Sequence, residues 1–145
     1  MRTLSTALND PGTKRAVVID AARIIEEEVA SKRGFRGAAL KAGFKAFKAV
    51  RPGIVAAAVD RLLPRFAPVI DPLWDEALAS GDAEGWFQMH DARVAGELLS
   101  VTDDLAERAQ NKVMIRIYRS LRGSAEEHVR AGAVRIPELI RRHLN

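Results

Sequence analysis

The stretch from Gly34 to Pro64 constrains the fold more than any other part of the chain. In its first half, Leu40, Phe44 and Phe47 recur at spacings of four and three, so they share one face of a helix. The Arg-Pro-Gly sequence at residues 51–53 predicts a tight corner, because proline disfavours helical geometry in the preceding residue and fits the first turn of a new helix. We therefore expect two helices that meet at this corner, with both phenylalanine rings buried in the core.

The second helix of this stretch begins after the corner and is rich in alanine, a strong helix former. Val59 and Leu62 keep the helical period on its apolar face, and the small alanines allow a neighbouring helix to approach closely. Proline removes a backbone donor and clashes with the preceding turn, so Pro64 predicts the end of this helix. Pro68 and the Asp-Pro pair at residues 71–72 predict a break and a new helix start.

The flanking segments carry further helix signals. The Asp-Pro pair at residues 10–11 is typical of a helix N-cap, and the apolar spacing after it predicts a helix to about Ser31. Another apolar pattern begins at Ala92, and the sequence leaves open whether it breaks near Thr102 or continues as one helix. A short helix after Pro137 completes the pattern. The expected fold class is therefore all-α, with about six to eight helices in a single compact domain.

A second copy of the basic helix is one interpretation of the C-terminal part of the chain. A shift of 71 residues aligns basic residues of both parts and places Gly123 on the proline of the first corner. Ser124 and Glu127 then have the spacing of a capping box, which predicts a helix start after a second corner. Two related hairpin units in tandem, at about residues 14–66 and 92–144, follow from this interpretation. The other interpretation is that two unrelated amphipathic helices align at this offset by chance.

Two basic stripes accompany these helices. Their members repeat at helical spacing on a face that flanks the apolar one, so the long side chains lie along the core boundary while their charges stay in water. The stripes could track the phosphates of a nucleic acid if they lie side by side, and otherwise they are ordinary solvated faces. The eight residues are Lys41, Lys45, Lys48, Arg51, Lys112, Arg116, Arg119 and Arg122.

Composition narrows the class of protein further. The chain has 145 residues, which is enough for one domain with its own core, and it has no cysteine for disulfides or thiolate chemistry. The first ten residues lack the apolar segment of a secretory signal. The longest apolar run, at residues 54–59, is far shorter than the ~20 residues of a membrane span. We therefore expect a cytoplasmic protein without a transmembrane segment.

The net charge of +4 is distributed unevenly along the chain. Residues 1–31 carry −1, residues 32–65 carry +8, residues 66–107 carry −9 and residues 108–145 carry +6. Two arrangements are consistent with these blocks. Either the acidic middle covers part of the basic surface, or the molecule presents one basic face and one acidic face.

The segment at residues 80–91 holds the greatest variety of side chains, with Trp86, Phe87 and Met89 beside His90. A histidine next to an aspartate could form an acid–base pair, but adjacent helix residues point about 100° apart, so a core role for the apolar residues is favoured. The sequence has no phosphate-binding glycine loop, no histidine pair at metal spacing and no Glu-x-x-His pattern. We therefore expect no catalytic residues, no cofactor and no metal site, and enzymatic function is disfavoured.

Three segments carry a family resemblance. They are KAGFKAFKAVRPGIVAAAVDRLLPRF at residues 41–66, GELLSVTDDLAERAQ at residues 96–110 and LRGSAEEHV at residues 121–129. These segments resemble a family of small, uncharacterised helical proteins from actinobacteria, and the Arg-Pro-Gly-Ile corner is the most specific part. Where similar proteins have a proline after the second arginine, this chain has Gly123. The resemblance implies a cytoplasmic bacterial helical domain and transfers no function.

These features favour a non-enzymatic binding or scaffold protein, with a protein partner or a second copy of the chain as its ligand. The alternative is nucleic-acid binding, through contacts between the phosphate backbone and the two basic stripes. Insertion of Phe44 and Phe47 into an anionic membrane surface is a further hypothesis. It is disfavoured, because we expect both rings to belong to the core.

Overall fold

A long central helix organises the structure, which is a computed structural model that describes residues 2–144. These residues form eight helices and no strand, which confirms the predicted fold class. The helices are α1 (Leu4–Ala7), α2 (Pro11–Ser31), α3 (Gly34–Lys48), α4 (Ile54–Ala79), α5 (Ala83–Met89), α6 (Asp91–Arg108), α7 (Lys112–Ala133) and α8 (Ile136–His143). None of these described helices is both long enough and apolar enough to cross a membrane.

The hydrophobic core surrounds α4, which contacts α1, α2, α3, α5 and α6. Phe87 of α5 is the largest fully buried side chain, and its ring centroid lies 6.1 Å from that of Trp74 and 5.3 Å from that of Trp86. Aromatic rings at these separations attract one another in addition to burying apolar area. The buried residues of α4 itself are Ile54, Val59, Leu63, Ala67, Ile70, Leu73, Trp74 and Ala77.

The central helix continues through three prolines, so the predicted helix end at Pro64 and the predicted break at Pro68 and Pro72 are both wrong. The prolines lie four residues apart on one exposed face, on the side away from the buried residues. Each proline lacks the N–H that would bond to the carbonyl four residues earlier, but those carbonyls belong to exposed residues and remain accessible to water. Burial of the apolar face outweighs the lost bonds, because most helical stability in proteins comes from packing.

Asp71 caps a helix, although it is not the helix that its position before Pro72 predicts. Its carboxylate accepts hydrogen bonds from the backbone N–H of Leu4 at 2.7 Å and of Ser5 at 3.2 Å. The first N–H groups of a helix have no partner within the helix, so a carboxylate from another element can satisfy them. Asp71 therefore fastens the start of α1 to the middle of α4.

Two local predictions around α2 and α4 are confirmed. A carboxylate oxygen of Asp10 accepts a hydrogen bond from the backbone N–H of Thr13 at 2.9 Å, and α2 ends at Ser31. The corner at residues 51–53 separates α3 from α4, and Gly53 has a φ of +73°, a left-handed conformation that favours glycine. The N-cap and corner signals in the local sequence thus specified where α2 and α4 begin.

The predicted second corner is wrong, because α7 runs unbroken through Gly123. The Ser124 hydroxyl lies 3.4 Å from the carbonyl oxygen of Leu121, a bond within the helix in place of the expected capping box. A single glycine costs a helix only about 1 kcal/mol relative to alanine, which is too little to break a helix that packs against α2, α3 and α6. α6 also continues as one helix past Thr102. A relation between the two tandem units stays a prediction.

The acidic middle of the chain pairs mainly with the C-terminal basic block, so the first of the two charge arrangements describes this part of the molecule. The pairs are Glu84 with Arg141, Asp91 with Arg130, Asp103 with Arg122 and Asp104 with Arg108. The basic block at residues 32–65 forms fewer ion pairs within the described chain, through Lys32, Arg36, Lys48 and no other cation. The unpaired positive charge therefore lies mainly on α3, on the corner after it and on part of α4. A second unpaired group, Lys112, Arg116 and Arg119, lies on α7.

Asp20 fastens α8 to α2. Its carboxylate lies 2.9 Å from the imidazole of His143 and 2.9 Å from the guanidinium of Arg142. Burial raises the pKa of Asp20, but the hydrogen bonds from His143, Arg23 and Arg142 outweigh burial and lower this pKa to about 2. The carboxylate is therefore ionised at neutral pH and holds the last helix in place.

Candidate functional site

A groove with apolar walls opens between α3, α4, α6 and α7, and its volume is about 370 Å³. The groove lies near the end of these helices that carries the corner at residues 51–53 and the loop at residues 109–111. Phe47 is its last lining residue on α3, and Met114 is its first lining residue on α7. The lining residues are Phe44, Phe47, Ala58, Leu62, Thr102, Leu105, Ala106, Ala109, Met114, Ile115, Ile117, Tyr118 and Leu121.

The groove stays open because α3 and the first half of α7 have almost no fully buried side chains. Gly37 is the one buried residue of α3, and Ala133 is the one buried residue of α7. The two helices approach closely at Gly43, where an added Cβ would lie 2.6 Å from a methyl group of Leu121. This contact holds α3 against α7, while the small side chains of Ala58 and Ala106 leave space in the opposite walls.

The prediction that Phe44 and Phe47 belong to the core is wrong. Both side chains are half-buried and form part of the groove wall. Lys48 lies above the ring of Phe44, with its Nζ 5.0 Å from the ring centroid, so a cation covers the outer edge of this wall. Helical periodicity identified the apolar face correctly, but it does not say whether other side chains cover that face completely.

The polar side chains of the groove are engaged with one another. The hydroxyl of Tyr118 donates to a carboxylate oxygen of Asp103 and lies 2.8 Å from the hydroxyl oxygen of Thr102. Hydrogen bonds from Arg122 and then from Tyr118 lower the pKa of Asp103. Burial, followed by the hydrogen bond to Asp103, raises the pKa of Tyr118. The tyrosine therefore stays neutral and its hydroxyl is already satisfied, which leaves the groove surface effectively apolar.

Two of the eight basic stripe residues have carboxylate partners. Lys48 pairs with Glu26 at 3.3 Å, and Arg122 pairs with Asp103 at 2.8 Å. The other six form no ion pair with the described residues and are exposed: Lys41, Lys45, Arg51, Lys112, Arg116 and Arg119. Most of the stripe charge is therefore available to a ligand.

The two stripes do not lie side by side. Lys41 and Lys45 are each two positions from Gly43, so they point about 160° away from the contact with α7. Arg119 is two positions from Leu121, so it points equally far from the contact with α3. The stripes lie on opposite flanks of the helix pair, and one straight nucleic-acid backbone cannot follow both.

The segment around His90 does not form the acid–base pair that the sequence suggested as one hypothesis. The ring of His90 packs against that of Trp86 in a tilted arrangement with a centroid distance of 4.5 Å, while Asp91 pairs with Arg130 at 3.3 Å. Phe87 is buried as predicted, but Met89 is 79% exposed and does not fill the core. Residues 2–144 contain no group of three or more histidine, aspartate or glutamate side chains placed to hold a metal ion.

His128 is a half-buried histidine on α7 whose Nε2 is enclosed without a hydrogen-bond partner among the described residues. Burial lowers its pKa, the nearby Glu127 raises it, and Lys32 and Arg36 lower it further. The net effect is a pKa below the usual 6.5, so the folded protein favours the neutral ring.

Stability is expected to fall as the pH is lowered through about 6.5, because the unfolded chain protonates His128 there and the folded chain resists protonation. The contribution is complete above pH 6.5, where both states are neutral, and it is lost as the pH falls towards the lower folded-state pKa. Urea unfolding between pH 7.5 and 5.5 would measure this, with His128→Gln as the comparison. The variant should lose less stability over this interval, and an equal or steeper loss would contradict the assignment.

Sequence reasoning missed the groove itself. Leu105, Met114 and Ile117 were available as a signal, because they extend apolar faces at helical spacing beyond what the predicted core needed. The sequence pattern cannot show, however, that four such faces leave a cavity between them instead of packing tightly. The spacing of the helix axes decides this, and it depends on contacts such as that between Gly43 and Leu121.

Comparison with known proteins gives one match. The model of a family of unknown function, DUF6918, matches residues 4–144. No curated protein and no solved structure matches the chain. The match confirms the resemblance to an uncharacterised family and transfers no functional residue, so the geometry of the groove is the basis for inferring a function.

Proposed function

We propose that this chain, which belongs to the DUF6918 family, is a binding protein whose ligand site is the apolar groove. The observation that carries the proposal is an open cavity of about 370 Å³ with apolar walls on four helices. This volume is within the range of roughly 300–1,000 Å³ that is usual for small-molecule sites. The walls expose side chains such as Phe44, Met114 and Ile115 only in part, so the cavity is accessible without unfolding.

Filling the groove is favourable because it removes apolar surface from water. Each square ångström of apolar surface removed contributes roughly 25 cal/mol. Folding has already fixed the helices, so a ligand gains this energy without the cost of ordering a disordered wall. An apolar surface of this kind on a folded protein therefore indicates a binding site.

The shape of the groove supports a slender apolar ligand more than a helix of a protein partner. Its walls on α6 and α7 extend over residues 102–109 and 114–121, which is about 10 Å along each helix axis. A bound helix is itself about 10 Å wide and needs anchors over at least two turns. The lined length only just reaches this minimum, whereas a flexible chain or a single ring needs no longer contact than the groove provides.

Binding of a neutral apolar dye, N-phenyl-1-naphthylamine, tests the proposal by fluorescence titration. Ala106→Phe fills the groove and should weaken dye binding at least tenfold, because Ala106 lines its wall. Ala92→Phe is the matched control, since Ala92 is exposed on the same helix and outside the groove. Unchanged binding in a folded Ala106→Phe variant would overturn the proposal.

A second groove-filling variant and a measurement of mass complete this test. Ala109→Phe adds the same ring at an exposed position of the lining, so it serves if Ala106→Phe does not fold. Light scattering over a range of concentrations addresses self-association. If the mass rises with concentration and Ala109→Phe prevents this, a second copy of the chain occupies the groove and the small-ligand proposal is wrong.

Nucleic-acid binding is the second candidate, and the six stripe cations without an ion pair support it. Because the stripes point to opposite flanks, a duplex could contact one of them at a time. Binding should therefore be weak and should decrease steeply with salt. Titration of labelled duplex and single strand at two salt concentrations, with Lys41→Ala and Lys45→Ala combined as the comparison, tests this. Absence of binding at low salt removes the candidate.

A further inference from the structure

We infer that the groove takes the hydrocarbon chain of a long-chain carboxylate, and that cations at the groove end attract its carboxylate group. The inference rests on the proposed function, because it names a ligand class for the same groove. Three features support it: the polar groups of the wall already have hydrogen-bond partners, unpaired charges lie beside the groove end, and the groove has a limited volume.

The wall offers a ligand no hydrogen bonds from its side chains. The Tyr118 hydroxyl is directed to Asp103 and lies 2.8 Å from the Thr102 oxygen, and the remaining lining side chains are apolar. A polar group inserted between such walls would lose its water and find no partner. The inserted part of the ligand is therefore a hydrocarbon.

The charges beside the groove end are mainly positive. Arg51 lies in the corner after α3 and Lys112 is the first residue of α7, and neither forms an ion pair with the described residues. Glu107, in the last turn of α6, is the unpaired carboxylate at this end, because Asp104 pairs with Arg108. Two unpaired cations against one unpaired anion favour a negatively charged head group.

The volume of the groove favours a ligand with one chain. A cavity of about 370 Å³ is near the lower limit for small-molecule sites. A lipid with two chains would leave much of its hydrocarbon in water, whereas a single chain can be covered and can leave its head group at the cationic end. A fatty acid is the simplest molecule with one chain and one negative charge.

Calorimetric titration with decanoate, dodecanoate and tetradecanoate, below their micelle concentrations, tests the chain. Affinity should rise about fourfold for each added methylene, as expected from burial of about 0.8 kcal/mol per CH₂, until the groove is full. Dodecanol and dodecyltrimethylammonium carry the same chain with a neutral and a positive head. Dodecanoate should bind about three- to tenfold more tightly than either, and this difference should shrink at high salt.

Arg51→Ala tests the head-group site, with Arg33→Ala as the matched control at the other end of α3. Both arginines are exposed and form no ion pair with the described residues. Arg51→Ala should weaken dodecanoate binding about two- to fivefold, and about tenfold when combined with Lys112→Ala. Neither change should alter the affinity for dodecanol, and Arg33→Ala should alter the affinity for neither dodecanoate nor dodecanol.

The possible outcomes separate this inference from the proposed function. If dodecanoate and dodecanol bind equally well and Ala109→Phe blocks both, the carboxylate inference is overturned while the groove remains the binding site. If no chain binds at any length and the neutral dye does not bind, both proposals fail. Tighter binding of dodecyltrimethylammonium than of dodecanoate would also overturn the inference, because the groove end would then prefer a cation.

Discussion

Replacement of Phe87 by alanine should lower the free energy of unfolding by about 3–5 kcal/mol, the usual cost for a buried phenylalanine. Its side chain is 0% exposed and contacts the rings of Trp74 and Trp86. Removing the ring loses its transfer energy and leaves a cavity that the neighbouring helices can close only in part. Because a domain of this size has a total stability of about 5–15 kcal/mol, the loss is a large fraction of the whole.

Urea unfolding followed by circular dichroism would measure the effect. Met89→Ala is the control, because Met89 is two residues away on the same helix and is 79% exposed. It should change the free energy of unfolding by less than about 0.5 kcal/mol. If Phe87→Ala costs no more than Met89→Ala, then α5 does not pack on α4 as described.

Replacement of Pro68 by alanine is expected to raise the free energy of unfolding by about 2 kcal/mol. Proline is about 3 kcal/mol less favourable than alanine inside a helix, and Pro68 is exposed in the middle of α4. Alanine restores the N–H that can bond to the carbonyl of Pro64. Part of the gain is lost, because alanine leaves the unfolded chain more freedom than proline does.

The same substitution at Pro11 is the matched control. Pro11 is the first residue of α2, where the N–H would have no partner within the helix, so Pro11→Ala should bring no comparable gain. Chemical unfolding of both variants measures the difference. A Pro68→Ala variant that is less stable than the parent chain would mean that the geometry imposed by the proline is itself needed for packing.

These two predictions concern α5 and the middle of α4, which pack in the hydrophobic core, whereas the groove lies outside this core. Phe87 and Pro68 are not part of the groove lining. Dye and carboxylate binding should therefore survive both substitutions at temperatures where the variants are folded. The separation allows stability and binding to be measured as independent properties of the chain.

The sequence determined most helix boundaries that depend on a short stretch of chain. The Asp10 cap, the end of α2 at Ser31 and the corner before Gly53 follow from contacts within a few residues, and all three are confirmed. Such features are local because the capping side chain or the left-handed glycine lies next to the backbone that it affects. The fold class also follows, since helical spacing of apolar residues continues along the chain.

Tertiary structure decided where local signals were opposed by burial. The prolines of α4 and Gly123 of α7 indicate breaks when they are considered alone, yet both helices continue. Packing of the apolar face of each helix contributes more stability than these residues remove. Asp71 likewise caps α1 across the fold instead of the segment that follows it. No window of neighbouring residues contains this information.

The groove and the charge pairing belong to the same class of features. The sequence placed Phe44 and Phe47 on an apolar face and Lys45 beside it, but the distance between helices determines whether that face is covered. This distance is set by residues far apart in the chain, such as Gly43 and Leu121, which meet only after folding. The sequence by itself therefore determined the helices and their apolar faces. Only the tertiary structure decided that four of those faces line a cavity. The hydrophobic effect is non-directional, so an apolar face does not specify which neighbour covers it or how completely.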